Sequence, residues 1–205
     1  MKKLCGYKIK RGRGIGWLNN NSCEMLQDNP LAKKDRRFRE GNILCCFNAL
    51  QMLGIIDYAT KEVVWAWPRN KGIIQSPHAP VMLDNGNILI FDNGAERGWS
   101  RVIELDPLAK KIVWEYHGEP KESFYSPTMS NAERLPNGNT LICEGAKNRI
   151  FEITPRGEIV WDFISTFNKT AGTECIYRAF RYSPEYVKPL LEQIDKLQKT
   201  QEEKL

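Results

Sequence analysis

Three stretches of this chain share one plan, and that repetition constrains the fold more than any other feature. Arg39–Trp67 reads "REGNILCCFNALQMLGIIDYATKEVVWAW". Leu83–Tyr116 reads "LDNGNILIFDNGAERGWSRVIELDPLAKKIVWEY". Arg134–Phe163 reads "RLPNGNTLICEGAKNRIFEITPRGEIVWDF". Each opens on Gly-Asn, continues into an apolar strand, crosses a variable stretch into a second apolar strand, turns, and closes on a third strand ending near Trp. The glycines are Gly41, Gly86 and Gly138, and the closing tryptophans Trp65, Trp114 and Trp161 recur at intervals of 49 and 47 residues. A period near fifty with three or four strands per copy is the pattern of a β-propeller.

Each part has a local physical reason. Asn85-Gly86 and Asn137-Gly138 are turn pairs expected to supply the positive φ of tight hairpins. Ile88–Phe91 and Val102–Leu105 are rich in strand-forming residues. Asp106-Pro107 and Thr154–Gly157 are turn sequences. Each closing Trp is expected to pack between neighbouring blades, where a large flat side chain buries much area. A weaker copy of the innermost strand lies at Cys23–Leu26, separated from Gly41 by a polar insertion.

The expected fold is therefore all-β: a partial propeller of three to four antiparallel blades with a C-terminal α-helix. A basic segment spans residues 1–14, the propeller 15–183, and the helix 184–205, with blades near 15–67, 77–118 and 126–165. Val187, Leu190, Leu191, Ile194 and Leu197 fall at helical spacing, and the helix is expected to pack on its own domain or cover a blade edge. Radial closure takes ~4–8 blades, so open strand edges, and self-association through them into a homo-oligomer, are expected.

Composition excludes several classes. A net charge of +5 without an aromatic ladder or helix-turn-helix pattern gives no case for nucleic acid. No run of about 18 apolar residues is present, so no helical membrane span is expected. The start carries no apolar signal region, which points to the cytoplasm, or outside it if an N-terminal half with a leader precedes this stretch. Cys5, Cys23, Cys45, Cys46, Cys143 and Cys175 form no CxxC pair, so no metal site is expected, and buried reduced thiols are the simpler reading.

"HAPVMLDNGNILIFDNGAERGWSRVIELDPLAKKIVWEY", with the Arg134–Phe163 unit, closely resembles the arylsulfotransferase family of β-propellers. "IYRAFRYSPEY" resembles the segment that ends family members, so the likeness runs from about Trp17 to Tyr186. Members are usually longer and six-bladed. The resemblance implies sulfuryl transfer from an aryl sulfate to a phenol, with no cofactor or nucleotide donor and a channel histidine as nucleophile. Carried onto this chain, it makes His78 the nucleophile and Arg97 its anion partner, with Asn93, Arg101, Arg134 and Asn19 as substrate contacts. His117 follows an outer strand and is expected in a surface loop. The chain departs from the family at "GWLNNNS", where Asn19 replaces an expected histidine and Gly16 an expected acid. Two other readings stay open: a propeller that binds or scaffolds without catalysis, and a quinoprotein-like propeller, for which no acidic metal-ligand cluster is visible.

Overall fold

The computed structural model describes residues 3–4, 7–8, 19–68, 72–166 and 175–202. The basic segment contributes a two-stranded antiparallel ribbon, β1 (Lys3–Leu4) with β2 (Tyr7–Lys8). The rest of residues 1–14, and Cys5 with it, lies outside the described residues.

Three antiparallel meanders follow, each of four strands in chain order. Blade 1 is β3 (Asn20–Met25), β4 (Ile43–Phe47), β5 (Met52–Ile56) and β6 (Val63–Trp67). Blade 2 is β7 (Pro77–Met82), β8 (Ile88–Asp92), β9 (Arg101–Asp106) and β10 (Lys111–His117). Blade 3 is β11 (Asn131–Arg134), β12 (Thr140–Glu144), β13 (Arg149–Ile153) and β14 (Ile159–Ile164). A closing segment, residues 175–183, precedes helix α1 (Pro184–Glu202). Among the described residues the fold is the expected partial propeller: three unclosed four-stranded sheets and one α-helix.

The second strand of each blade is mostly apolar because both of its faces are buried. On β8, Ile88 and Ile90 pack into a core shared with Leu44, Leu53, Ile55 and Trp65 of blade 1. Leu89 and Phe91 point the other way, into a core shared with Ala132, Ile142 and Phe151 of blade 3. Blade 2 is thus sandwiched, and the two-residue strand period assigns alternate side chains to its two neighbours.

The tryptophans add a directed bond to that packing. Trp65 Nε1 donates to the carbonyl of Pro107 at 3.2 Å, and Trp114 Nε1 to that of Pro155 at 3.1 Å. Each indole reaches the β-turn before the last strand of the following blade. Trp161 breaks the series: its ring stacks on Phe163 and is 43% exposed, against 1% for Trp65.

The Asn85-Gly86 and Asn137-Gly138 turns have the expected positive φ, at the glycine alone in each pair, 87° at both Gly86 and Gly138. The asparagines act through their side chains instead. Asn85 and Asn87 both donate to Glu104 Oε1, at 3.0 and 2.7 Å, and Asn137 and Asn139 both donate to Glu152 Oε1, at 3.3 and 2.7 Å. Helix α1 starts at Pro184, and its apolar side chains stay largely open among the described residues where packing on the domain or over a blade edge was expected. Leu190, Leu191 and Ile194 are all at least 41% exposed. The closing segment takes the covering role, bonding along blade 3 through Ile176 N to Gly145 O and Tyr177 O to Ser130 N.

Candidate functional site

The innermost strands β3, β7 and β11 start at one end of the molecule, and the polar groups of the site gather there. His78 sits on β7 opposite Phe91, beside a register shift that ends at Val81. The backbone bends sharply on both sides of it, since Ser76 (φ 50°) and Ala79 (φ 46°) are in the left-handed region. Non-glycine residues adopt that conformation at a cost, and such strain with a bulge re-aims a side chain.

The His78 ring is 8% exposed, and its Nδ1 lies 2.7 Å from Asn93 Oδ1 and 3.0 Å from Ser76 O. The protonation state of the two ring nitrogens follows from Asn93. Its amide nitrogen donates to Ser126 O at 2.7 Å and Met129 O at 3.0 Å, which fixes the orientation of the side chain. The oxygen facing His78 can only accept, so Nδ1 carries the proton and Nε2 the lone pair. Nε2 makes no hydrogen bond among the described residues. Burial lowers the His78 pKa below its ordinary value, and the nearby Arg178 charge adds to that, outweighing the raising effect of the Asn93 and Ser76 bonds. The imidazole is therefore neutral at neutral pH.

A ring of amides supports this arrangement from blade 1. Pro77 O accepts from Asn21 Nδ2 at 2.9 Å, Asn48 Nδ2 at 3.1 Å and the Cys46 thiol at 3.0 Å. Asn19 donates to Asn48 Oδ1 at 3.2 Å, one step further out. The structure thus brings Asn93 and Asn19 into the network around His78, Asn93 directly and Asn19 through Asn48.

The three arginines named from the sequence sit differently. Arg97 Nη1 and Arg101 Nε both bond the fully buried Asp92, at 2.9 and 2.8 Å. Arg97 also donates to Asp92 O and Trp99 O, and its guanidinium lies 4.3 Å from the Trp99 ring centroid. Arg101 bonds Glu115 and Ile73 O as well. Both clamp the end of β8 just before Asn93. Arg134 pairs with Glu104 at 2.8 Å. His117 ends the outer strand β10, with Nδ1 2.9 Å from Gly118 O and its ring against Trp99.

A cavity of about 800 Å³ runs along the inner strands, with Ser22, Glu24, Ala79, Met82, Asn131 and Arg178 in its walls. His78 adjoins it through Ala79. Glu24 and Arg178 were not singled out from the sequence. Glu24 Oε2 accepts from Met82 N at 3.2 Å, and burial pushes its pKa up to about 7. Its position two residues after Ser22 on one strand face was the available signal. Arg178 was visible only as part of the closing motif. The buried thiols of Cys45 and Cys143 are pushed up to about 12 by burial and are inert as nucleophiles at neutral pH.

A neutral imidazole with a directed lone pair beside a cleft of mixed polar and apolar walls can attack an electrophile and hold the product covalently. Residues 21–166 match the arylsulfotransferase (ASST) family. The chain belongs to that family. No protein with a curated description matches it. Among solved structures, it is similar to a protein of unknown function from Bacteroides caccae (16% identity, TM-score 0.44, covering 60% of this chain and 42% of that one). It is also similar to virginiamycin B lyase from Staphylococcus aureus (21%, 0.43, 62% and 39%) and to Kuenenia stuttgartiensis hydrazine synthase (17%, 0.43, 61% and 33%). This arylsulfotransferase-family chain spans about two fifths or less of the length of those structures.

Proposed function

We propose that this chain transfers sulfuryl groups from an aryl sulfate to a phenol through His78. In the first step the Nε2 lone pair attacks sulfur, the S–O bond to the aryl group breaks, and the phenolate leaves with the bonding pair. In the second, the acceptor oxygen attacks the sulfur, the N–S bond breaks, and the acceptor's proton passes to solvent or a nearby base. Splitting one hard transfer in two is the general gain of a covalent intermediate. No metal or organic cofactor takes part in this scheme.

The observation that carries the reading is the Nδ1–Asn93 contact at 2.7 Å, because it leaves Nε2 as the nucleophile. Family membership supports the general chemistry. One feature favours a second reading, a propeller that binds anions without turning them over. Asn19 stands where the family places a histidine, and its amide bonds Asn48.

The test is nitrophenolate release from 4-nitrophenyl sulfate with phenol as acceptor. Ping-pong kinetics, loss of turnover in His78→Ala and retention in His117→Ala are expected. Undiminished release by His78→Ala rejects the assignment of the nucleophile, and no release by the wild type favours the binding propeller.

A further inference from the structure

The closing segment repeats an innermost strand without a blade behind it. Arg134 on β11 bonds Glu104 of the preceding blade and lies 4.8 Å from the centroid of the Trp114 ring. Arg181 makes both contacts one blade later, bonding Glu152 and lying 5.6 Å from the centroid of the Trp161 ring. Arg134 and Arg181 are 47 residues apart, as are Trp114 and Trp161. Asn131 grips the segment with both amide atoms, Oδ1 to Ala179 N at 2.9 Å and Nδ2 to Ala179 O at 2.7 Å, in place of a strand ladder.

Stepping back by the same interval from Arg178 gives Asn131. Asn131 pairs with Cys143, the fourth residue of β12. His78 pairs with Phe91, the fourth of β8, and Ser22 with Cys46, the fourth of β4. Ser22, His78, Asn131 and Arg178 therefore occupy one rung of four successive inner segments. The Arg178 side chain crosses to blade 1, where Nη2 donates to Asn21 O at 3.0 Å.

Arg178 also differs from its neighbours in charge balance. Arg39, Arg97, Arg101, Arg134, Arg149 and Arg181 each meet a carboxylate. Arg178 meets none among the described residues, although it lines the cavity. The same cavity carries Glu24, Asp84, Glu133 and the Arg134-paired Glu104, but Arg178 forms no ion pair with them, and a guanidinium with one donor used matches the oxygen face of a sulfate or sulfonate.

We infer that Arg178, carried into the channel by the closing segment, is the group that holds the substrate's anionic end beside His78, the role that the family resemblance implied for Arg97. The inference rests on the sulfuryl-transfer reading for the identity of the anion as an aryl sulfate. It makes the closing segment part of the site rather than a tail.

The test separates binding from turnover. In a His78→Ala background, 4-nitrophenyl sulfate and inorganic sulfate are titrated calorimetrically into the full chain, alone and with Arg178→Gln, Arg178→Lys or Arg181→Gln. Arg178→Gln should weaken aryl sulfate binding roughly tenfold to a hundredfold, the range for hydrogen bonds to a charged group. Arg178→Lys should recover part of it. Arg181→Gln should lower the melting temperature and keep the affinity. Unchanged affinity in Arg178→Gln, or no anion binding by the parent protein, overturns the inference. If Arg178 governs binding of both anions but the wild type never transfers sulfuryl, the transfer reading fails and the anion site stands. If Arg178→Gln transfers normally, the reverse holds. Should Arg178→Gln not fold, Arg178→Lys carries the comparison, and full affinity together with full turnover in that variant counts against a planar, two-donor contact.

Discussion

Asn93 Oδ1 stands 2.7 Å from His78 Nδ1 while Asn93 Nδ2 is held by two main-chain carbonyls. Asn93, together with the Ser76 carbonyl 3.0 Å from the same nitrogen, therefore sets which imidazole nitrogen is free. Asn93→Leu should weaken that control and leave the Met129 carbonyl unpaired, while Ser126 O keeps the Ser100 hydroxyl. A stability loss of about 1–3 kcal/mol is expected from urea unfolding. If sulfuryl transfer occurs through His78, kcat should fall much more than KM rises, since both ends of the Asn93 amide are used to orient the imidazole. Equal changes in both would assign it to binding.

The lowered His78 pKa has a defined consequence for pH dependence. In the proposed transfer the neutral ring attacks, so rate should be lost only as pH falls through the folded pKa, below the ordinary histidine range. Stability follows the same sign. The unfolded ring takes up its proton first, so this contribution is present above the unfolded pKa and is lost as pH falls towards the folded one. A kcat/KM profile whose acid limb lies above pH 7 would contradict the burial described for His78.

Glu24 acts in the opposite direction. Its pKa is raised by burial from 4.5 to about 7, so the native state holds a proton that the unfolded chain releases. Its stabilising contribution is complete below pH 4.5 and is lost as pH rises through 7. Glu24→Gln should flatten the fall in melting temperature between pH 5 and pH 8 relative to the wild type. An identical pH slope in the two proteins would show that the carboxyl titrates normally.

The closing tryptophans of blades 1 and 3 should differ sharply in cost. Trp65 is 1% exposed and bonds Pro107 O, so Trp65→Ala should destabilise by about 3–5 kcal/mol. Trp161 is 43% exposed, and Trp161→Ala should cost about 1 kcal/mol or less. β14 also presents Phe163 and Ile164 at an unpaired edge, 46% and 63% exposed. Phe163→Lys should therefore reduce self-association in sedimentation experiments, because a charge on an edge strand opposes pairing.

The strand framework was legible because strands, glycine turns and tryptophans repeat with a period that survives in a single sequence. Gly86 and Gly138 had to be glycine, and Trp65 and Trp114 had to find a neighbour. His78 and Asn93 could be named from their motif and lie in contact. Arg97 shows where that reasoning stops. Its place beside the histidine unit suggested an anion contact, yet the carboxylate that engages it, Asp92, is only five residues away and fully buried. Arg178 could not be placed from sequence, since its bond to Asn21 O joins residues separated by 157 positions. The Glu24 shift depends on burial between blades, which no local pattern encodes.

The Trp65–Pro107 and Trp114–Pro155 bonds give the array a polarity. Blades 2 and 3 are each pinned by the blade before, and blade 3 pins nothing in turn among the described residues. In a stack where each unit leans mainly on its neighbours, loosening spreads from the end with an unused donor. Amide exchange should be fastest along β14, slower through β10, and slowest in β8 and β9, which have a blade on either side. The molecule would thus open from its last strand inward, and the closing segment that carries Arg178 would part from blade 3 early in that sequence.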